Sequence, residues 1–160
     1  MSDLNFTRNC EVDAPVEALR EWHFRPEAFA RLTPPWEKAT VIEAPGALVD
    51  GARAIIEVGI GPFKKRWIAE HEITASGFID RQIEGPFAFW EHTHSFEAIN
   101  GEKSRLTDSI RYRLPFGLAG RLFGRPLVER KLDRLFRYRH AITASDLGSL
   151  PLQPDKAATT

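Results

Sequence analysis

Two histidines stand two residues apart in the run Trp90–Glu91–His92–Thr93–His94–Ser95–Phe96. Side chains alternate across a β-strand, so Trp90, His92, His94 and Phe96 share one face, and Phe89, Glu91, Thr93 and Ser95 share the other. Imidazole ionises close to neutrality, at a reference pKa of ~6.5, so such a pair suits proton transfer, hydrogen bonding to a polar ligand, or metal ligation. An ordinary half-buried strand keeps its histidines on the wet side. Here the best inward-facing set contains both of them between two aromatic rings, a pattern that fits the lining of a cavity. As a general base, one of them would remove a proton next to a ketone, oriented by Asp108 or Asp80. The same residues could equally form a polar cluster that only fixes sheet register, because buried polar groups need partners whether or not they act. For a metal, His71 or Asp108 could supply a third ligand. Zinc takes three or four aimed ligands, and spacing pairs only two here, without a cysteine or HExxH frame; no metal and no cofactor is expected. No nucleophile–base–orienter motif is present, so catalysis stays open, with His92, His94 and Asp108 as its candidates.

The elements that carry these residues follow from periodicity. Phe6 to Val12 reads as a strand, and Asp13–Ala14–Pro15 as the entry to a short helix through Val16, Leu19 and Trp22. Phe29 and Leu32 mark a second short helix, stopped by Pro34–Pro35. From Thr40 the period becomes two: strands over Thr40–Glu43, Ala52–Ile60, Phe63–Thr74, Phe78–Glu84, the opening run to about Ile99, and Ser104–Leu114. Asn100–Gly101 is a two-residue hairpin signal. The result is an antiparallel meander that curves as it twists. Taking the histidine face as concave adds Trp67, His71, Leu106, Asp108 and Tyr112; Phe78, Asp80 and Gln82 join them unless the strand inverts to present Ile79 and Ile83. A long helix follows, with Pro126 in its first turn or as a kink if it begins near Leu118. Its apolar stripe is Leu127, Val128, Leu132, Leu135, Phe136, Arg139 and Ile142. Arg139 and His140 could pair with the acids of the sheet.

Lysine plus arginine (22) cancels aspartate plus glutamate (22), so overall charge favours neither nucleic acid nor an anionic membrane, and no uncharged run is long enough for stable membrane insertion. The 121–139 segment is locally basic, which is usual for a solvated helix face. A single cysteine, Cys10, excludes an internal disulfide. The N-terminus has no signal-like apolar run, so a cytoplasmic protein is expected. The 160 residues suit one domain over 1–147, with 148–160 as a disordered tail.

One strand, two short helices, a curved meander and a long C-terminal helix give an α+β chain that resembles the START-like helix-grip superfamily. The likeness runs from about Phe6 to about Asp146. Leu32–Thr33–Pro34–Pro35–Trp36, Phe78–Ile79–Asp80–Arg81–Gln82, Gly85–Pro86–Phe87 with the histidine run, and Phe136–Arg137–Tyr138–Arg139–His140 are similar to its bacterial cyclase/dehydrase-like or cell-division-inhibitor-like branch. The resemblance implies a hydrophobic cavity between sheet and helix, holding a lipid, aromatic or polyketide-like molecule. Trp67, Trp90, Phe96, Leu106 and Tyr112 would supply apolar contact, while His71, Asp80, Gln82, His92, His94 and Asp108 would orient a polar end. Pro34–Pro35–Trp36 and Gly61–Pro62–Phe63 are rim candidates. The alternatives are a cyclase, dehydratase or aromatase using the histidines, and a regulatory protein-interaction module. Ligand identity and oligomeric state are not legible.

Overall fold

The computed structural model describes residues 3–60 and 62–148. Among the described residues, seven strands form one antiparallel sheet: β1 (Leu4–Val12), β2 (Ala39–Glu43), β3 (Arg53–Ile60), β4 (Phe63–Thr74), β5 (Gly77–Glu84), β6 (Phe89–Ala98) and β7 (Ser104–Arg113). Helices α1 (Val16–Phe24) and α2 (Ala28–Arg31) follow β1, and α4 (Arg125–Gly148) closes the described chain. The sheet order is β1-β7-β6-β5-β4-β3-β2, so β1 returns to the far end beside β7 and the other strands form the meander. This is the helix-grip arrangement expected from the sequence. The tail expected from 148 onward lies, past Gly148, outside the described residues. No helix among those described is long and apolar enough to cross a membrane.

Cross-strand pairs share a face, and the ladders settle which one. His92 pairs with Asp80 and Ile110, His94 with Phe78 and Asp108, and His71 with Asp80. Phe78, Asp80 and Gln82 therefore face inward with the histidines, and the inverted reading of β5 is excluded. Close pairing of β5 to β6 depends on Gly77, where a Cβ would sit 1.9 Å from the His94 carbonyl oxygen.

The core has two apolar clusters. One gathers Val12, Leu19, Trp22, Phe78, Phe96, Leu106 and Leu147; the other gathers Leu4, Trp90, Ile110, Tyr112, Leu132 and Phe136. Along β6, β7 and α4 alike, the residues between the two sets are polar: His92 and His94, Asp108, and His140 with Thr143, all buried. A polar layer thus divides the interior.

Two local expectations change. Asn100–Gly101 does not form a two-residue turn, because Ala98 pairs with Ser104 and five residues span the gap. The Asn100 side chain instead accepts from the amides of Glu102 and Lys103 (2.9 and 2.8 Å), which stabilises the longer loop. Helical structure begins before Pro126, with α3 (Gly117–Ala119) and a π-helical turn over Gly120–Gly124 leading into α4. The π turn ends just ahead of Pro126, whose missing N–H interrupts the ordinary ladder. Phe116 enters this segment in the left-handed region (φ 65°), and Gly120 approaches the Pro115 carbonyl so closely that a Cβ would lie 1.9 Å from it. Phe116, Leu118, Leu122, Phe123 and Leu127 are exposed, so the buried stripe starts only at Leu132.

Candidate functional site

The polar layer is a continuous chain of histidines and carboxylates. Asp108 sits at its centre, nearly inaccessible, with a side chain 3% exposed. His92 Nε2 donates to its Oδ1 at 2.8 Å, and His140 Nε2 reaches from α4 to donate to its Oδ2 at 2.6 Å. His94 lies between the two acids, its Nδ1 2.9 Å from Asp108 Oδ1 and its Nε2 3.1 Å from Asp80 Oδ2. His71 Nδ1 donates to the Ala52 carbonyl (2.9 Å), and its Nε2 stands 3.1 Å from Asp80 Oδ1. Two of these approaches are close but not aligned: Asp80 Oδ1 and His94 Nδ1 are buried without a hydrogen bond of good geometry. The fifth histidine, His23, donates to the Leu19 carbonyl and tilts against Phe96, with ring centroids 5.0 Å apart.

The ionisation states follow from burial and partners. Burial opposes charge on His94, but the carboxylates of Asp108 and Asp80 outweigh it and hold the imidazolium up to about 9. His92 is pushed down to about 4 by burial and by the charge on His94, against the pull of Asp108. Burial likewise lowers His23 to about 4. Asp108 is held well below the usual carboxylate range: burial would raise it, but its bonds to His140 and His92 and the adjacent His94 prevail. Asp80 is lowered in the same manner, chiefly by His94. Neutral His92 therefore carries its proton on Nε2, leaving the Nδ1 lone pair facing Asp80 Oδ2 at 4.0 Å.

Apolar rings fix the imidazoles. Phe78 stacks on His94 at 4.1 Å, Phe136 meets His92 edge-on at 5.2 Å, and the His92 and His94 rings lie 3.8 Å apart. Trp67, Trp90 and Tyr112 gather around Phe87 at one end of the sheet. Phe96 and Leu106 pack beneath α1, in the other cluster. Gln82 is occupied by the β5–β6 turn, donating to the Phe87 carbonyl (2.8 Å) and accepting from the Phe87 amide (3.3 Å). Phe78 lies on the inward face where the sequence offered it, whereas Phe87 and Phe136 belong to the site's surroundings but were not among the expected site residues. The i,i+4 spacing of Phe136 and His140 on one helix was the available signal.

The hollow expected beneath the long helix does not extend over β6 and β7, where Phe136 and His140 fill the space. The helices pack on β1, β6 and β7. On β3 and β4 the inward residues Ala54, Ile56, Val58, Trp67 and Ala69 are only half-buried, and Val41 on β2 is exposed. Within the polar layer the Asp80 side chain is the most accessible, at 23%, against 10% for His71 and less for His92, His94 and Asp108. A surface groove of about 330 Å³ is lined by Asp50, Glu70, His71, Glu72 and Arg81, mostly residues of the outer face of β4 and β5. A second, of about 400 Å³, lies by Lys38, Glu57 and Phe63. Of the rim candidates, Pro34 is buried, while Trp36 packs edge-on to Tyr138 under the Arg134 guanidinium. Phe63 is exposed; Gly61 lies outside the described residues.

Comparison with known proteins places this geometry. Among solved structures, the Zhui aromatase/cyclase from Streptomyces sp. R1128 superposes with a TM-score of 0.72 at 14% identity, over 91% of this chain and 94% of that one. Norcoclaurine synthase from Thalictrum flavum, in complex with dopamine and hydroxybenzaldehyde, gives 0.66 at 15% identity, over 94% and 91%. A nucleoside-diphosphate sugar epimerase from Corynebacterium glutamicum gives 0.66 at 29% identity, covering 89% of this chain but 29% of that longer one. No curated protein matches the chain. The family model for polyketide cyclase/dehydrase and lipid transport matches residues 12–136. By that match over most of its length, and by its helix-grip architecture, the chain belongs to the polyketide cyclase/dehydrase and lipid transport family of the START-like superfamily.

Proposed function

We propose that the chain binds a hydrophobic small molecule, lipid, aromatic or polyketide-like, against the inner face of β3–β5. The observation that carries this reading is the asymmetric cover of the sheet. Over β6 and β7 the inner face is sealed by α1 and α4, whereas Ala54, Ile56, Trp67 and Ala69 are left half-buried beside Asp80 and His71. An apolar wall next to a few convergent polar groups is the usual make-up of a small-molecule site. Trp67 supplies the flat apolar contact, and Asp80 and His71 take the polar end of the ligand. Roughly 400 Å² of buried apolar ligand surface at about 25 cal/mol per Å² is worth about 10 kcal/mol, which association costs reduce to micromolar binding. Family membership and the likeness to an aromatase/cyclase support the choice of ligand class.

The test is native mass spectrometry of the purified full chain, followed by titration with palmitate and with 2-naphthol while tryptophan fluorescence is recorded. Saturable binding that Ala69→Trp abolishes, with the variant still folded, is expected. A chain that retains no adduct and binds neither probe is a protein-interaction module instead. A catalytic reading has one specific observation behind it: neutral His92, its Nε2–H held by Asp108, presents an unprotonated Nδ1. His92 is 3% exposed, so a substrate reaches it only if α4 moves. Turnover of a poly-β-ketone that His92→Ala removes would favour that reading.

A further inference from the structure

We propose that Asp80, His92 and His94 form a binding site for one divalent first-row transition-metal ion. One donor atom from each residue lies within 4.8 Å of the other two. His94 Nε2 is 3.1 Å and His92 Nδ1 is 4.0 Å from the same oxygen, Asp80 Oδ2. Tetrahedral zinc with bonds of about 2.0–2.2 Å requires donors about 3.3–3.5 Å apart, and the two observed separations bracket that range.

The outer nitrogens make the stronger case. A metal-ligating histidine almost always has its second ring nitrogen held by a carboxylate or carbonyl, which fixes the tautomer and aims the free lone pair. Asp108 Oδ1 performs this for His92, accepting from its Nε2 at 2.8 Å, and His140 steadies Asp108 from α4; the same oxygen stands 2.9 Å from His94 Nδ1 without an aligned bond. His71 lies beside the carboxylate, its Nδ1 tied to the Ala52 carbonyl and its Nε2 3.1 Å from Asp80 Oδ1 without an aligned bond. Of the two residues that the sequence offered as third ligands, Asp108 is thus a positioning residue and His71 a neighbour of the carboxylate, and Asp80 is the ligand. A separate observation points the same way. Asp80 Oδ1 is buried and has no aligned hydrogen bond, an arrangement that costs free energy unless the carboxylate serves something else.

Two imidazoles and one carboxylate leave at least one coordination position free. The most accessible of the three ligands is Asp80, so that position opens toward the half-covered inner face of β3–β5, where an oxygen of a bound molecule or a water would complete the shell. Metal binding does not depend on the small-molecule reading and is tested without any organic ligand.

The experiment is calorimetric titration of the chelator-stripped full chain with zinc chloride, with cobalt(II) absorption as a second readout. One equivalent of zinc with sub-micromolar affinity is expected, together with cobalt bands of nitrogen–oxygen coordination. Loss of an outer partner typically weakens metal sites by about 10–100-fold, so Asp80→Asn, which keeps the shape but loses the charged ligand, weakens zinc by roughly 100-fold or more. Imidazole ¹⁵N spectra of the unaltered chain decide the matter if that variant does not fold: zinc shifts the His92 and His94 ring nitrogens and leaves those of His23 in place. Failure of the folded chain to take up stoichiometric zinc overturns the proposal, as do ring shifts confined to other histidines or an unchanged affinity in folded Asp80→Asn.

Discussion

Replacing Asp108 by asparagine keeps the side-chain shape, removes one charge and leaves three imidazoles facing an amide. His92 and His94 approach it from β6 and His140 from α4, while Cys10 on β1 and the Arg139 guanidinium lie within its field. Two independent routes give the size of the effect. Breaking a buried ion pair costs about 3–5 kcal/mol. Separately, His94 is held up to about 9 against its ordinary 6.5, a difference that corresponds to about 3 kcal/mol, shared between Asp108 and Asp80. For a chain of this size, 3–5 kcal/mol lowers the thermal midpoint by about 6–20 °C. The pH dependence gives a sharper signature. A raised histidine pKa stabilises fully below the unfolded value of 6.5, and that contribution fades as pH climbs to about 9. The gap between the native chain and Asp108→Asn is therefore widest in mild acid and narrows toward pH ~9–10, leaving what the lost bonds to His92 and His140 contribute. Urea unfolding of both proteins across this range, in chelator to keep metal out, measures it, with imidazole NMR following His94. A loss under about 1 kcal/mol, or a gap that is flat with pH while His94 still titrates where it did, refutes the electrostatic account.

Other outcomes follow from the same layer. His23 and His92 are both lowered to about 4, so the unfolded chain takes up protons from about pH 6.5 downward while the folded chain resists; stability falls as pH drops from about 6.5 to 4, and urea midpoints that do not move over that span contradict the burial of these rings. Phe136 is 1% exposed and braces His92 and Phe6, so Phe136→Ala costs about 3–5 kcal/mol by chemical denaturation; a cost below about 1 kcal/mol would mean that α4 does not seat as described.

The strands were legible because their side chains obey a strict two-residue period. Phe89–Ala98 and Ser104–Arg113 carry it almost unbroken, and the inward set on β6 and β7 follows from it. The face of β5 was ambiguous because Phe78 and Ile79 are both apolar, and only pairing with β4 and β6 decides between them. The union of His71, Asp80, His92, His94 and Asp108 could be anticipated from register. What period and spacing do not contain is how far the helix reaches. Phe136 and His140 descend onto β6 and β7, so Trp90, Phe96, Leu106 and Tyr112, which suit a cavity wall by type, spend their surface on packing. Gln82 has the right chemistry for a ligand but is used by its own turn, a local hydrogen-bonding choice that sequence pattern leaves unmarked. The hairpin after β6 was misread for a similar reason: Asn100 can adopt a tight turn, yet its side-chain acceptor stabilises a longer one.

The long helix is fastened unevenly. Its last turns hold His140, Thr143 and Leu147 in the interior, and Asp146 accepts from Nε and Nη2 of Arg31. Its approach, from the left-handed Phe116 through the π turn to Leu127, already keeps most of its apolar side chains in water, so lifting it forfeits little burial. The rod is consequently a cantilever: breathing begins at the Phe116 end, amide protons there exchange first, and the interior can be ventilated from that side while the clamp on Asp108 stays shut.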